Sequence, residues 1–154
     1  MQVSIVTFPE TRIAIVSHVG PPLLEHETAG KLIAWKLQHG LLDQTLFRSY
    51  GLHYTDPATV DPAEHRVDFC LSYDGRIEPN PYGVVEGTIP MARCAMARDV
   101  GSRLNNQAAW YLFYEWLPRS GEQMAAGPLV FHYVNVGPSV KDHEAITDVY
   151  LPLR

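Results

Sequence analysis

The chain has 154 residues, 46% of them hydrophobic, and a formal net charge of −5 at pH 7. This size and apolar content suit one domain, or a tight duplication of two small modules, with a substantial core. The negative charge argues against a polyanionic partner, because duplex binding needs a basic face that replaces phosphate counterions.

The sequence contains no sign of membrane or metal attachment. No apolar run reaches the roughly 18–20 residues that a bilayer span needs, and the first ten residues, MQVSIVTFPE, lack the charged and apolar regions of a signal peptide. We therefore expect a cytoplasmic protein with no membrane partner. Cys70 and Cys94 form no CxxC pair, which favours buried free thiols over a disulfide or a metal site.

The first half of the chain reads as two strands, a helix and two strands. Residues 1–8 alternate apolar and polar side chains, Pro9-Glu10 marks a tight turn, and residues 12–19 read as a second strand, which together predict a hairpin. Further strands are predicted at 46–55 and 66–73. Gly20-Pro21-Pro22 predicts the start of a helix that ends near Gly40. The broad apolar stripe of this helix consists of Leu24, Leu32, Ile33, Trp35 and Leu37.

The second half of the chain repeats this order. Residues 84–89 and 93–100 predict a hairpin around Pro90-Met91, and residues 129–136 and 145–153 predict two more strands. A helix is predicted from about Leu104 to Leu117, stopped before Pro118. The core face of this helix is expected to contain Leu104, Ala108, Ala109, Leu112, Phe113, Trp116 and Leu117.

Residue pairs that recur at a nearly constant offset indicate an internal duplication. The offset is 81 positions for Arg12 and Arg93, 80 for Asp68 and Asp148, and 79 both for His53 and His132 and for Tyr54 and Tyr133. We interpret the chain as one domain, 1–154, made of two β-β-α-β-β repeats at about 1–74 and about 82–154.

The repeat predicts an α+β fold with a cleft. One sheet is expected to carry both helices on one face, related by a pseudo-two-fold axis. Clefts between such elements are where small-molecule sites usually form. The sequence therefore predicts a groove between the two helices, floored by the central strands.

Aromatic residues are the strongest candidates for lining that groove. Trp110 and Tyr114, four residues apart, project from the side of the second helix opposite its core face. They fit a groove wall or ligand lid, a homodimer contact, or a partly exposed pair. Period two puts Phe131 and Tyr133 on one face of their strand, and the offset of 79 assigns Tyr54 to that same face. Ordinary sheet core is the alternative for these three rings.

No catalytic or metal-binding signature accompanies the rings. The histidines show no HxH, HxxxH or HExxH spacing, and GxSxG, P-loop and GxGxxG motifs are absent. We therefore expect no metal, no cofactor and no assigned catalytic residue.

Several ordered motifs resemble those of the GyrI-like small-molecule-binding family. They are HVGPP, GLHYTDPATVDPAEHRVDFCL, GVVEGTIP, RCAMARDVG, EWLPRSG and GPLVFHYVN, and the similarity runs from about residue 3 to 153. The family includes effector-binding domains of AraC-type and MerR-type multidrug regulators, and stand-alone proteins such as the DNA gyrase inhibitory protein. The resemblance implies a tandem β-β-α-β-β fold with a ligand cleft between the helices. Large, planar, aromatic or cationic ligands are also implied, and some members look like hydrolases of DNA-alkylating natural products.

One position departs from the family pattern. The family's strand typically reads P-x-F-E-x-Y, whereas Pro128 to Tyr133 aligns with Phe131 at the glutamate position. Phe131 favours a neutral, apolar or aromatic ligand, unless Glu86 or Glu115 replaces the missing acid.

The expected function is that of a stand-alone protein, monomeric or homodimeric, without direct nucleic-acid binding. It would sense or sequester a hydrophobic, planar aromatic small molecule. Alternatives are a hydrolase of a reactive hydrophobic compound, or a protein-interaction role such as gyrase modulation; we favour binding over enzyme activity. Tyr150 joins the expected site because it stands where the first repeat has Cys70. The expected ligand-binding residues are Tyr54, Trp110, Tyr114, Phe131, Tyr133 and Tyr150.

Overall fold

The structure is a computed structural model that describes residues 1–154, and it is an α+β fold with a single eight-stranded sheet. Strand order is β1-β6-β8-β7-β3-β4-β2-β5, and every pairing is antiparallel. The strands are β1 (Ser4–Phe8), β2 (Thr11–Val19), β3 (Ser49–His53), β4 (Arg66–Ser72), β5 (Val85–Ile89), β6 (Ala92–Val100), β7 (Leu129–Tyr133) and β8 (Ile146–Pro152).

The two predicted hairpins are wrong, because the strands exchange partners between the halves. β1 pairs with β6, and β5 pairs with β2. A two-residue hairpin loop needs residues with positive φ, and neither Pro9-Glu10 nor Pro90-Met91 has one. Three Cα steps from Phe8 to Thr11 span at most about 11 Å. Since β1 and β2 stand far apart in the strand order, this short link requires the sheet to curl.

The first helix, α1 (Glu25–Gln38), buries a narrower stripe than its sequence predicts. Leu32 and Trp35 pack against β2 and β4, whereas Leu24, Ile33 and Leu37 are exposed. Only about one side of a helix can face a sheet, so the rest of the broad apolar stripe is left in solvent. The helix ends before Gly40, whose φ of 67° is left-handed, as the sequence predicts.

The second helix, α2, is continuous over three segments: Gln107–Trp110, the π-helical Tyr111–Trp116, and Leu117–Ser120. It begins after Leu104, which is 90% exposed and lies outside the helix, so the assignment of Leu104 to the core face is wrong. Pro118 lies within the last turn instead of stopping the helix. Proline lacks an N–H and collides with the carbonyl four residues earlier, and the wider π-helical turns accommodate that defect.

Both helices lie on one face of the sheet, here called the helix face. α1 covers Ala14 and Leu71, which are cross-strand partners, and α2 covers Ala97 and Val149, which are also partners. The opposite, back face packs a separate apolar cluster that contains Phe8, Ile13, Tyr50, Leu52, Cys70, Ile89, Cys94 and Val130. Neither helix has the length and apolar character needed to cross a membrane.

Candidate ligand-binding groove between the helices

The floor of the groove is the pairing of β3 with β7 at the centre of the sheet. Gly51 lies opposite Phe131 in this pairing. The ring centres of Phe131 and His53 are 3.9 Å apart, and the hydroxyl oxygen of Tyr133 lies 3.2 Å from His53 Nε2. A Cβ at Gly51 would meet that hydroxyl oxygen at 2.5 Å. Glycine at this position therefore lets the Tyr133 side chain cross over β3 to reach His53.

Burial keeps both partners of this hydrogen bond neutral near pH 7. Burial, together with the nearby charge of His65, lowers the pKa of His53 to about 4. Burial likewise raises the pKa of Tyr133 well above its usual value. Because neither group ionises at neutral pH, the floor is a hydrogen-bonded but uncharged surface.

A carboxylate stands beside this floor at the start of α1. Glu25 Oε2 lies 3.2 Å from Nε2 of the buried His65, whose Nδ1 is 2.9 Å from Thr55 Oγ1. Its negative charge is, after burial, the next cause of the raised pKa of Tyr133. The Glu25 side chain is partly exposed, and no hydrogen bond to its Oε1 is present. Glu25 is therefore an acid close enough to influence Tyr133, and the sequence patterns did not single it out.

Glu86, one of the two predicted substitutes for the missing acid, does not take this place. Glu86 lies on the edge strand β5 and accepts a hydrogen bond from Arg12 at 3.1 Å, with both side chains exposed. The sequence signal for Glu25 was its position in the first turn of a helix that follows Gly20-Pro21-Pro22. The sequence did not indicate which strands would lie next to the first turn of this helix.

Arg103 holds the other side of Tyr133. Its guanidinium carbon lies 5.3 Å from the centre of the Tyr133 ring. Arg103 Nε donates to Thr147 Oγ1 at 3.0 Å, and Nη2 donates to the carbonyls of Asn135 and Ile146 at 2.7 and 2.9 Å. These bonds fix the guanidinium, so a positive group of set position lies beside the Tyr133 ring.

Three rings of α2 are exposed. Trp110 and Tyr114, here called the wall, are exposed as the helical pattern predicts, whereas Phe113 is 41% exposed although that pattern places it on the core face. Trp110 is 55% exposed and Tyr114 48% exposed, with ring centres 5.7 Å apart. The hydroxyl of Tyr114 donates to Asp56 Oδ2 at 3.1 Å. Because Asp56 follows β3 by three residues, this bond connects α2 with the loop at the end of β3 that carries His53.

Trp110 also borders an open hollow at the start of α2. The hollow has a volume of about 460 Å³, and the residues that line it are Met1, Asn105, Asn106, Gln107, Trp110 and Tyr111. Small-molecule sites commonly occupy roughly 300–1,000 Å³. There is thus room for a ring beside Trp110, whereas Tyr114 does not line this hollow and Phe131, only 5% exposed, fills the core beneath α2.

The structure separates Tyr54 and Tyr150 from the other predicted site residues. Tyr54 lies against Arg66, 4.1 Å from its guanidinium carbon, beside the back-face residue Asp68. Tyr150 packs on the back face with its ring centre 5.0 Å from that of Phe8. Neither ring faces the groove, so their assignment to its lining is corrected.

The cause of the error at Tyr54 is a shift of one residue in register, whereas Tyr150 is correctly aligned with Cys70, which itself packs on the back face. Aligning Tyr54 with Tyr133 uses an offset of 79, but β3 and β7 correspond at an offset of 80. Side chains alternate between faces, so a shift of one residue exchanges the faces. His53 therefore shares the groove with Tyr133, while His132 packs on the back face 4.9 Å from the Tyr50 ring.

The fold and the groove define an α+β domain of the small-molecule-binding class. The family model described as the GyrI-like small molecule binding domain matches residues 1–154, and the chain belongs to this family. This agrees with the resemblance carried by the ordered motifs.

Relatives of this chain are named as regulators or inhibitors. It is 36% identical over 154 residues to the probable transcriptional regulator YgiV of Escherichia coli strain K12, covering 99% of this chain and 96% of that one. It is 28% identical over 157 residues to the DNA gyrase inhibitor of Erwinia billingiae, covering 99% and 97%.

Solved structures share the fold at low identity. The EcmrR C-terminal domain superposes with a TM-score of 0.76 at 16% identity, covering 99% of this chain and 97% of that one. SAV2435 bound to tetraphenylphosphonium superposes with a TM-score of 0.60 at 10% identity, covering 100% and 94%.

Proposed function

We propose that the protein senses or sequesters an aromatic small molecule in the groove between α1 and α2. The observation that carries this proposal is the exposed Trp110–Tyr114 pair, which the Tyr114–Asp56 hydrogen bond links to the loop after β3, together with the partly buried His53–Tyr133 hydrogen bond. Exposed apolar patches usually mark binding surfaces. A planar ligand stacked on the wall would gain about 25 cal/mol per Å² of apolar area buried, before ordering costs.

The wall is held in place before a ligand arrives. The Tyr114–Asp56 hydrogen bond joins α2 to the loop after β3 and limits the positions of the Tyr114 ring. Binding to a surface that is already ordered loses less side-chain entropy. A rigid aromatic ligand therefore suits this wall better than a flexible chain.

Charge refines the proposed ligand. Phe131 removes the acid that the family pattern places on β7, and Glu25 brings another carboxylate to the groove from α1. A carboxylate beside aromatic rings favours a positively charged or N–H-bearing ligand. We propose an aromatic compound with such a group directed at Glu25. The tetraphenylphosphonium bound to SAV2435, which has aromatic rings and a positive charge, is a suitable first probe.

We propose that the groove lies on the axis of a tandem β-β-α-β-β repeat. Matching registers support this: β3 and β7, like β4 and β8, correspond at an offset of 80, and β2 and β6 at 81. Matching backbone bonds support it as well, since Gly20 N donates to His65 O and Gly101 N donates to Ala145 O, both at 2.8 Å. A fragment of residues 1–74 should fail to fold alone, because β1 pairs only with β6; a cooperatively folded fragment would mean that strand exchange between the two repeats is not required for folding.

The experiment is calorimetric titration with tetraphenylphosphonium and with a neutral aromatic probe of similar size. We expect Trp110→Ala and Tyr114→Ala each to weaken binding of both probes about tenfold or more. Glu25→Gln should weaken only the cationic probe. Tyr150→Phe, on the back face, is the control and should bind both probes as the wild type does.

Two results decide against the proposal. Unchanged affinity in the double variant Trp110→Ala/Tyr114→Ala would exclude the wall as the binding surface. Equal loss of both probes in Glu25→Gln would remove the charge preference and leave only the aromatic one.

A second candidate is hydrolysis of a reactive hydrophobic compound in the same groove. The observation that favours it is the hydrogen-bonded series of Thr55, His65 and Glu25, in which a buried histidine orients a partly exposed carboxylate. Such a carboxylate can position or deprotonate a water molecule. Mass spectrometry of electrophilic aromatic substrates, with Glu25→Gln as the inactive variant, tests it; equal turnover by the variant would exclude this role.

A further inference from the structure

Two aspartates occupy corresponding places on the back face of the sheet. Asp148 on β8 lies between Arg98 of β6 and His132 of β7. Asp68 on β4 lies between Ser17 of β2 and Leu52 of β3. Each aspartate thus lies on a strand that is flanked by two others, at corresponding positions. Asp148 has an arginine as one cross-strand neighbour, whereas neither cross-strand neighbour of Asp68 is positively charged.

The Asp148 carboxylate is fully paired. Arg98 Nε donates to Oδ1 at 2.7 Å, and Arg98 Nη2 donates to Oδ2 at 2.9 Å. This bidentate arrangement matches the planar guanidinium to both carboxylate oxygens. Where the neighbouring strand has an arginine, as β6 has at Arg98, the guanidinium of that arginine therefore covers the aspartate carboxylate.

The Asp68 carboxylate is only half paired. Asp68 is 3% exposed, and its Oδ2 accepts one long hydrogen bond, 3.3 Å, from Arg66 Nη2. Its Oδ1 is buried and has no hydrogen-bond partner. A buried acceptor without a partner destabilises the fold, and more so when it is charged. Ser17, in the position of Arg98, leaves this oxygen unsatisfied.

The residues around Asp68 open towards solvent. Ser17 is exposed, and the side chains of Tyr54 and Arg66 are each close to half exposed. Arg66 stacks on the Tyr54 ring and contacts only one carboxylate oxygen. These exposed side chains can move aside, so a group from outside can reach Oδ1 without disturbing the apolar cluster of the back face.

We propose that Asp68, Ser17 and Tyr54 form a second binding site, specific for a guanidinium group. The group takes the position over β2 that the Arg98 side chain takes over β6. It donates to Asp68 Oδ1 while Arg66 keeps Oδ2, and the Tyr54 ring offers a π face to positive charge. This site lies on the face opposite the groove and is independent of the function proposed for the groove.

The guanidinium group can come from a free small molecule or from an arginine side chain of a protein. Calorimetric titration with agmatine tests the first source, and titration with a short arginine-containing peptide tests the second. N-carbamoylputrescine, which has a neutral urea in place of the guanidinium, is the matched control ligand. We expect at least tenfold weaker binding of this neutral ligand than of agmatine.

Two variants separate the site from folding effects. Asp68→Asn should weaken agmatine binding at least tenfold. Ser17→Arg should place a guanidinium over Asp68, block agmatine, and raise the melting temperature, because the unpaired oxygen gains a donor. Asp74→Asn, an exposed aspartate, is the control and should bind like the wild type.

The outcomes decide the proposal in either direction. Binding of the peptide but not of agmatine would assign the site to a protein arginine. Equal affinity for agmatine in the wild type and in Ser17→Arg would overturn the proposal, as would equal affinity for agmatine and N-carbamoylputrescine. Failure of the wild type to bind either guanidinium probe would also overturn it.

Discussion

The hydroxyl oxygen of Tyr133 on β7 lies 3.2 Å from Nε2 of His53 on β3, directly over Gly51. This bond joins the two central strands on the helix face, where the two halves of the chain meet. The bond holds the floor of the proposed groove in place. The residues that form it should therefore affect both the stability of the fold and ligand binding.

Gly51→Ala should disturb this contact. The new Cβ would lie 2.5 Å from the Tyr133 hydroxyl oxygen and 3.1 Å from His53 Nε2. Because the tyrosine must move, we expect a loss of about 1–3 kcal/mol in the free energy of unfolding. Urea denaturation measures it. Gly30→Ala in α1, where a Cβ meets nothing within 4 Å, is the control and should gain up to about 1 kcal/mol. Equal stability of both variants would contradict the tight contact.

Stability should fall in mild acid because His53 is buried in its neutral form. Its pKa is lowered to about 4 in the folded protein, against about 6.5 in an unfolded chain. Between these values the unfolded state binds a proton that the folded state refuses, so the contribution present above pH 6.5 is lost as the pH falls towards 4.

Replacing His53 should flatten this pH dependence. Denaturation of His53→Gln between pH 7 and 4 should show less loss of stability than the wild type, by on the order of 2–3 kcal/mol. His143→Gln, at an exposed histidine, should keep the wild-type profile. Parallel profiles for His53→Gln and the wild type would mean that His53 titrates normally.

Arg98→Ala should lower the free energy of unfolding more than a substitution that breaks an ordinary surface ion pair. It leaves the buried Asp148 without both of its short hydrogen bonds, which predicts a loss of about 1–3 kcal/mol or more. Arg12→Ala breaks the exposed pair with Glu86 and should cost no more than about 1 kcal/mol. Thermal and urea denaturation of the two variants side by side tests the difference; equal losses would count against it.

Leu112→Ala and Leu104→Ala should differ sharply, although the sequence places both on one helix face. Leu112 is fully buried under α2, whereas Leu104 precedes the helix and is 90% exposed. We expect Leu112→Ala to lower the free energy of unfolding by about 2–5 kcal/mol. Leu104→Ala should change it by no more than about 0.5 kcal/mol. A large loss for Leu104→Ala would mean that the helix begins earlier than in this structure.

Local patterns predicted the elements well because their causes are local. Strand-like composition between turn residues located all eight strands, and the position of Gly40 marked the end of α1. Helical periodicity also placed Trp110 and Tyr114 in solvent. Side-chain direction within one element follows from backbone geometry alone, so these features needed no knowledge of distant partners.

The sequence by itself determined the α+β class, the strands, the helices and the exposed rings on α2. Only the tertiary structure decided which strands pair, because β1 finds β6 and not its neighbour β2. It also decided that His53 and Glu25, rather than Tyr54 and Tyr150, accompany Tyr133. The physical reason is that pairing and register are set by long-range packing, and one residue of shift exchanges the two faces of a strand.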